Sequence, residues 1–238
     1  MPATANNRIN IKNLTSMAML TAMAYVVMLL SKALPQVSGF LQMDLKDTVI
    51  CIGGFVFGPL AAAIISIVVA VVEMFTYSDT GIIGCIMNVL ATVSFCCTAS
   101  FVYKKIHTRK GAIIGLACGV VALTVVMVLW NYLITPIYMK IPREVVVSML
   151  PTVFLPFNLV KGGLNMAVIL LLYKPVVTAL RKAKLLPESR RPASQSGVTL
   201  NGVPVSEQKK RANAGFILFA LALLATFVTL ALVLMGIL

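Results

Sequence analysis

Charged residues are scarce in this chain, and acidic and histidine side chains are the scarcest. Its 238 residues include seven Asp and Glu and one His, and charged residues make up 11%. The patterns HExxH, GxSxG and GxxxxGK(S/T) do not occur, so the usual signatures of a zinc protease, a serine hydrolase and a P-loop ATPase are missing. His107 stands in a basic segment, where we expect it to be solvated. The sequence therefore predicts a protein that is not an enzyme.

Patterns typical of metal and nucleic-acid binding are missing as well. The five cysteines fall in apolar segments without CxxC or His-paired spacing, and we interpret them as small core side chains. The formal net charge is +13, but the basic residues cluster beside apolar segments and do not form a stripe interleaved with aromatic residues. We expect no metal, no cofactor and no nucleic-acid partner.

Apolar residues, in contrast, are abundant. Hydrophobic residues make up 60% of the chain and mean hydropathy is +0.98, which is more apolar than a soluble domain of this size. A helix that crosses the hydrocarbon of a bilayer needs roughly 20 mostly apolar residues. We therefore predict an all-α integral membrane protein with a six-helix bundle and an additional C-terminal transmembrane helix. The apolar segments cover about 14–33, 48–57, 60–77, 81–103, 112–138, 152–173 and 215–238.

The distribution of Lys and Arg predicts the orientation. With a cytoplasmic N-terminus, 15 of the 20 basic residues fall on the inside and four in outside loops, in agreement with the positive-inside rule. We divide the chain into a cytoplasmic N-terminus at 1–13, a six-helix substrate-binding domain at 14–180, a basic cytoplasmic linker at 181–213 and an extra transmembrane helix at 214–238. The protein would then cross the cell membrane several times and end outside.

Several polar side chains stand inside the predicted helices, where a charge costs about 2.5–3.5 kcal/mol on insertion scales. Asn158, Lys161 and Asn165 are spaced by three and then four residues, which places them on one face of the sixth helix. The lysine could snorkel to the outer interface, but the flanking amides favour a polar stripe that faces the bundle interior. Glu73, near the outer end of the third helix, is expected to reach interfacial water.

Further amide and hydroxyl groups stand in the same outer half of the bundle. Asn131 and Thr135 are one turn apart in the fifth helix, and Asn88 lies in the fourth. This set contains amides and one cation but no cluster of carboxylates or arginines, so a neutral, flat, hydrogen-bonding solute suits it better than a phosphate or a metal ion. The pattern predicts a pocket that captures a small molecule from outside.

The first helix offers a surface for a membrane partner. Ala18 and Ala22 form a small-xxx-small pair, and small side chains at this spacing allow helices to approach closely in lipid. Alanine is common in such helices, so the pair alone is weak support for an interface.

The order of these motifs resembles a known family. The chain contains GGFVFGPLAAAIIS, GIIGCIMNVLATVSF, WNYLITPIYM and LPFNLVKGGLN, followed by a basic tail. Over about residues 14–180 it resembles the substrate-binding (S) components of energy-coupling factor (ECF) vitamin transporters, and most closely the riboflavin-specific group. WNYLITPIYM and LPFNLVKGGLN are the specific part of the resemblance, while the FGP turn is shared more widely among S components.

The resemblance implies a six-helix vitamin-binding bundle with its site near the outer face, capped by the loop after the first helix. It implies that Asn131, Asn158 and Lys161 make polar contacts to the isoalloxazine ring, and that Ala18 and Ala22 dock on a transmembrane coupling (T) subunit. Two cytoplasmic ATPases would complete the complex and drive uptake of riboflavin. We include Asn88, Thr135 and Asn165 in the predicted site on the basis of their positions.

Two alternatives remain at this stage. The chain could be an S component for another vitamin or a flavin nucleotide. An ion-coupled secondary transporter would require paired intramembrane carboxylates or broken helices in repeated halves, and the sequence shows neither clearly. The basic linker and the last helix depart from the six-helix pattern of the family.

Overall fold

The computed structural model describes residues 11–34, 36–38, 40–77, 80–182 and 205–237. Within these residues the regular structure is helical, and the predicted fold class is confirmed. Residues 1–10 of the predicted N-terminal segment 1–13 lie outside the described residues. Residues 183–204 of the predicted linker 181–213 lie outside them as well. The helices are α1 Ile11–Ser31, α2 Lys46–Phe57, α3 Pro59–Thr76, α4 Gly81–Lys105, α5 Arg109–Met139, α6 Arg143–Met149, a π-helical segment Leu150–Phe154, α7 Leu155–Lys182 and α8 Val205–Leu234.

Six helical stretches are long and apolar enough to cross a membrane. They are Asn13–Ser31, Pro59–Thr76, Gly81–Lys105, Arg109–Met139, Arg143–Val176 and Ala214–Leu234. The short second helix that the sequence predicts is also present as α2. Its 12 residues rise about 18 Å, which is less than the roughly 30 Å of the hydrocarbon core. It packs against α1, α3, α4 and α7 and so occupies the middle of the bundle.

The predicted sixth helix is longer and less regular than the sequence suggested. It begins at Arg143 as α6, passes through the π-helical segment that contains Pro151, and continues as α7 to Lys182. Proline has no backbone N–H to donate and its ring crowds the preceding turn, and a π-helical turn accommodates such a disruption without ending the helix. The sequence analysis starts this helix at about 152 because a proline often marks a helix boundary, although apolar residues already precede Pro151.

Glycines bring α4 and α5 into close contact. Gly115 and Gly119 are one turn apart on α5, and both are buried against α4. A Cβ atom at Gly115 would lie 2.7 Å from the backbone oxygen of Ala99, and a Cβ at Gly119 would lie 2.7 Å from that of Phe95. In lipid, where van der Waals packing drives helix association, small residues at this spacing let the two backbones meet.

The additional helix is present and begins earlier than expected. We placed its start at about residue 214, whereas α8 begins at Val205, so the last residues of the predicted linker are helical. Residues 205–213 have no apolar period, and periodicity detects only helices with an apolar face. The sequence therefore gave no signal for this first part of α8. The helix packs against α7.

Gly119→Val tests the α4–α5 contact. We expect the free energy of unfolding to fall by about 1–3 kcal/mol because the new side chain would collide with a backbone oxygen. Thermal unfolding in detergent, followed by circular dichroism, measures the change. Gly215→Val is the control because a Cβ at Gly215 meets nothing within 4 Å. Equal midpoints for the two variants would contradict the packing.

Candidate functional site

The loop between α1 and α2, of which residues 32–34, 36–38 and 40–45 are described, covers one end of the bundle, and we call it the cap loop. Its tip is a tight turn in which the backbone N–H of Val37 donates to the oxygen of Leu41 at 2.8 Å, with the reverse bond at 3.0 Å. Below it lies a cavity with an open mouth, and the two together enclose about 900 Å³. It is lined by Lys32, Gln36, Phe40, Leu41, Gln42, Asp44, Glu73, Tyr77, Thr80, Met87, Asn88, Ala91, Met127, Asn131, Phe157, Asn158 and Lys161.

Four of the six predicted site residues line this cavity. They are Asn88, Asn131, Asn158 and Lys161, contributed by α4, α5 and α7. The exposed fraction is at most 7% for Asn131, Asn158 and Lys161, as expected for side chains that face the bundle interior. The alternative in which the lysine snorkels to the interface is wrong for this structure.

Lys161 is buried because it has a charged partner in the cap loop. Its Nζ lies 2.9 Å from Oδ2 of Asp44, and Asp44 is 6% exposed. Burial alone would raise the pKa of the Asp44 carboxyl, but the positive charges of Lys161, Lys46 and Lys32 hold it below its ordinary value. The carboxylate therefore stays ionised, and the pair fixes the cap loop to α7.

Asn165 supports this pair and does not line the cavity. Its Nδ2 donates to the backbone oxygens of Asp44 at 3.0 Å and Lys161 at 3.1 Å, and its Oδ1 accepts from the hydroxyl of Thr48 at 2.8 Å. With three hydrogen bonds inside the protein, the amide holds the cap loop, α2 and α7 together.

The two central amides are oriented by their own helices. Nδ2 of Asn158 donates to the backbone oxygen of Phe154 at 2.7 Å, and Nδ2 of Asn131 donates to that of Met127 at 2.7 Å. Thr135 donates to Oδ1 of Asn131 at 2.9 Å, so this predicted residue orients its neighbour. Because an amide has two N–H groups and two lone pairs, these bonds leave each group able to pair with a ligand.

A second group of ion pairs adjoins the first, since Nζ of Lys46 lies 4.0 Å from Oδ2 of Asp44. Oε2 of Glu73 accepts from Lys46 at 2.5 Å and from Nδ2 of Asn88 at 3.3 Å, while Oε1 lies 3.5 Å from Nζ of Lys32. The expectation that Glu73 reaches interfacial water is wrong, since its residue is only 4% exposed. It is buried because α2 places Lys46 beside it.

Sequence reasoning missed the cap-loop residues, of which Asp44 is the most important. Its Oδ1 is buried and has no hydrogen-bond partner among the described residues, and the side chain lines the cavity. The available signal was the stretch from Gln42 to Lys46, which alternates polar and apolar residues next to a membrane helix. Strict alternation is typical of an extended segment, such as a β-strand, with one side buried.

The cavity continues into an apolar space of about 550 Å³. The two share Phe40, Met87 and Asn131 among their walls. The side chains that line only the second space are mostly apolar or aromatic, and Thr135 is also among them; they are Ile83, Gly84, Trp130, Ile134, Thr135, Tyr138 and Met139. A polar compartment therefore meets an apolar one at Asn131.

The predicted partner surface lies on the outside of α1. Ala18 and Ala22 are exposed, whereas Leu20 and Ala24 are buried against the rest of the bundle. The alanine pair thus stays available to another helix, and its role as an interface stays a prediction.

Comparisons with known proteins agree with this architecture. The family described as "ECF transporter, substrate-specific component" matches residues 12–177. The riboflavin transporter FmnP of Bacillus subtilis (strain 168) is 30% identical over 187 residues, covering 74% of this chain and 98% of the relative. The riboflavin transporter RibU of Staphylococcus aureus (strain TCH60) is 29% identical, with coverages of 72% and 93%.

A solved structure supports the same assignment. It is described as "Structure and mechanism of the S component of a bacterial ECF transporter" and superposes with a TM-score of 0.61 at 30% identity, covering 71% of this chain and 98% of that one. The family match includes the cap loop and the helices that line the cavity, and it ends before α8. The chain belongs to the family of substrate-specific components of ECF transporters.

Proposed function

We propose that this chain binds riboflavin in the cavity below the cap loop and delivers it for uptake by an ATP-driven ECF transporter. The observation that carries the proposal is the two-compartment site, in which polar groups on one side meet an apolar, aromatic space on the other. Two relatives that the match covers almost completely are named riboflavin transporters, which supports the same ligand.

Riboflavin has the matching distribution of polarity. Its ring system ends in an imide-bearing pyrimidine on one side and a dimethylbenzene on the other, and its ribityl chain carries hydroxyl groups. The amides of Asn131 and Asn158 can each give an N–H and take one from the imide edge, and Lys161 can donate to a ring atom. The dimethylbenzene fits beside Trp130 and Tyr138, where aromatic contact favours it.

The remaining polar groups have assigned roles in the proposal. Asp44, with an unpartnered buried oxygen, accepts a hydrogen bond from a ribityl hydroxyl. Thr135 and Asn165 act as positioning residues for Asn131 and Lys161, and Asn88 contributes an amide to the wall near Glu73. The helices α1 to α7 form the binding domain of residues 14–180, which has six helices when α6, the π-helical segment and α7 are counted as one.

The charge of the site favours riboflavin over its phosphate ester. The lining lysines Lys32 and Lys161 are both within 3.5 Å of a carboxylate, Glu73 and Asp44 respectively. A phosphate would meet no net positive charge in the part of the wall that the structure describes, and it would lose its hydration on entry.

Uptake requires partners, because the sequence has no P-loop of its own. We propose that a transmembrane T subunit docks on the face of Ala18 and Ala22 and that two cytoplasmic ATPases supply the energy. The excess of Lys and Arg at the end opposite the cap loop supports a cytoplasmic location for that end, and in this proposal the cap loop opens to the outside.

Titration of the purified chain in detergent tests the ligand. Riboflavin fluorescence should be quenched on binding, and FMN should bind about tenfold more weakly or worse, because its phosphate enters a site whose lysines are already paired. Quenching by neither flavin would contradict the function, and tighter binding of FMN would contradict the charge argument.

Asn158→Ala tests the ring contacts. Loss of the amide should weaken riboflavin binding by about 1–3 kcal/mol, because the ring edge is left without its partner, which raises Kd by about 5- to 150-fold. Fluorescence titration measures Kd, with Thr152→Ala as the control since Thr152 is exposed on the preceding turn. An unchanged Kd would remove Asn158 from the site.

Ala18→Trp tests the coupling surface. A large side chain should prevent close approach of a partner helix, so uptake of labelled riboflavin by cells with the partner subunits should be lost. Binding by the purified variant should stay at the level of the unmodified chain. Ala117→Trp, at an exposed position on α5, should retain uptake. Normal uptake by Ala18→Trp would exclude this face as the interface.

A further inference from the structure

The helix α8 lies outside the residues that match the family. The match ends at residue 177, whereas α8 covers Val205–Leu234. Most of its large apolar side chains are exposed, for example Leu218 at 67% and Val233 at 53%, but Ala220 and Ala231 are buried. One narrow face of α8 is therefore in contact with the bundle.

That face touches α7 directly behind the site. The ring of Phe227 lies over the backbone of Gly163, and a Cβ atom built there would be 2.1 Å from the ring's Cζ. Only a glycine accommodates the ring at this distance. Gly163 stands between Lys161 and Asn165, the two α7 residues that hold Asp44.

The end of α8 reaches the cap loop. Val37 and Met43 of the loop form one apolar cluster with Ala231 of α8, and they are 3% and 1% exposed. Leu234 and Met235, at the end of α8, pack against the same cluster. The members from α7 are Phe157, Val160 and Leu164.

The cluster fixes the loop residues that matter for the ligand. Met43 immediately precedes Asp44, and Leu45 immediately after it packs against the same cluster. The carboxylate is thus held from one side by Lys161 and from the other by apolar side chains that α8 helps to cover. Removing part of that cover leaves contacts unmade and loosens the packing.

We propose that α8 is a support for the binding site, with Phe227 as a positioning residue that keeps the cap loop closed over the bound ligand. The proposal rests on the proposed function for the identity of the ligand. Closure of a loop over a bound ligand mainly lowers the dissociation rate, so α8 lengthens the time for which riboflavin stays bound.

The test compares Phe227→Ala with Phe219→Ala in the full-length chain. Phe219 is on the same helix and 47% exposed, so its loss should leave the loop unaffected. Riboflavin release, followed by recovery of fluorescence in a stopped-flow instrument, should be about tenfold faster in Phe227→Ala and unchanged in Phe219→Ala. Equal release rates in the two variants would overturn the proposal.

Gly163→Ala supplies a second variant with a specific signature. In the otherwise unmodified chain, the added methyl group should displace the ring of Phe227 and speed riboflavin release. In the Phe227→Ala variant, which has no ring, the same methyl group should have little effect. Such non-additivity identifies direct contact. Additive effects would mean general destabilisation and would overturn the positioning role.

Hydrogen exchange tests the role of α8 independently of the identity of the ligand. Backbone amides of residues 37–45 should exchange faster in Phe227→Ala than in Phe219→Ala, with or without riboflavin. A chain that fails to bind riboflavin but shows this difference would refute the proposed ligand and support the role of α8. Identical exchange in the two variants would overturn the role of α8.

Discussion

The buried ion pair between Lys161 and Asp44 is the interaction on which the site depends. It joins a transmembrane helix to the loop that caps the cavity, at 2.9 Å and with both side chains less than 10% exposed. Neither side chain would stay charged at this buried position alone, since removal of one partner leaves an uncompensated buried charge that costs about 3–5 kcal/mol. The position of the cap loop therefore follows from the position of Lys161. Asn165 then fixes the backbone on both sides of the pair.

The same reasoning accounts for the other charges near the cavity. Replacing a buried ion pair with apolar residues is often neutral or stabilising, so stability alone gives no reason for three lysines and three carboxylates to be buried or half-buried together. A site for a neutral, hydrogen-bonding ligand does give one for the four that line the cavity, because their ion pairs supply donors and acceptors without net charge. Those four are Lys32, Lys161, Asp44 and Glu73. Glu73 holds Lys46 and Lys32, and Asp47 accepts from Thr92 at 2.6 Å. The six residues are Lys32, Lys46, Lys161, Asp44, Asp47 and Glu73.

The sequence predicts which residues share a face of one helix, but it does not predict contacts between residues that lie far apart along the chain. Asn158, Lys161 and Asn165 share a face because of helical geometry, and two of the three, Asn158 and Lys161, line the cavity. The partner of Lys161 lies 117 positions away, and periodicity carries no information about such a pair. Glu73 was misjudged for that reason, since its burial depends on Lys46 from a different helix. The polar groups were predictable, whereas their pairing was not.

These contacts also tie the cap loop to the helices around the cavity. Lys161 lies in a helix packed by α5, α2 and α8, whereas Asp44 lies in a loop, so a displacement of the loop away from the cavity would break the pair. The loop is fastened at its start as well. Gln42 donates to the backbone oxygen of Ser31 at 3.0 Å, and the Ser31 hydroxyl accepts from the backbone N–H of Leu45 at 3.2 Å. Ser31 is the last residue of α1, the helix with the exposed alanine pair. A displacement of α1 would therefore act directly on the loop that covers the cavity.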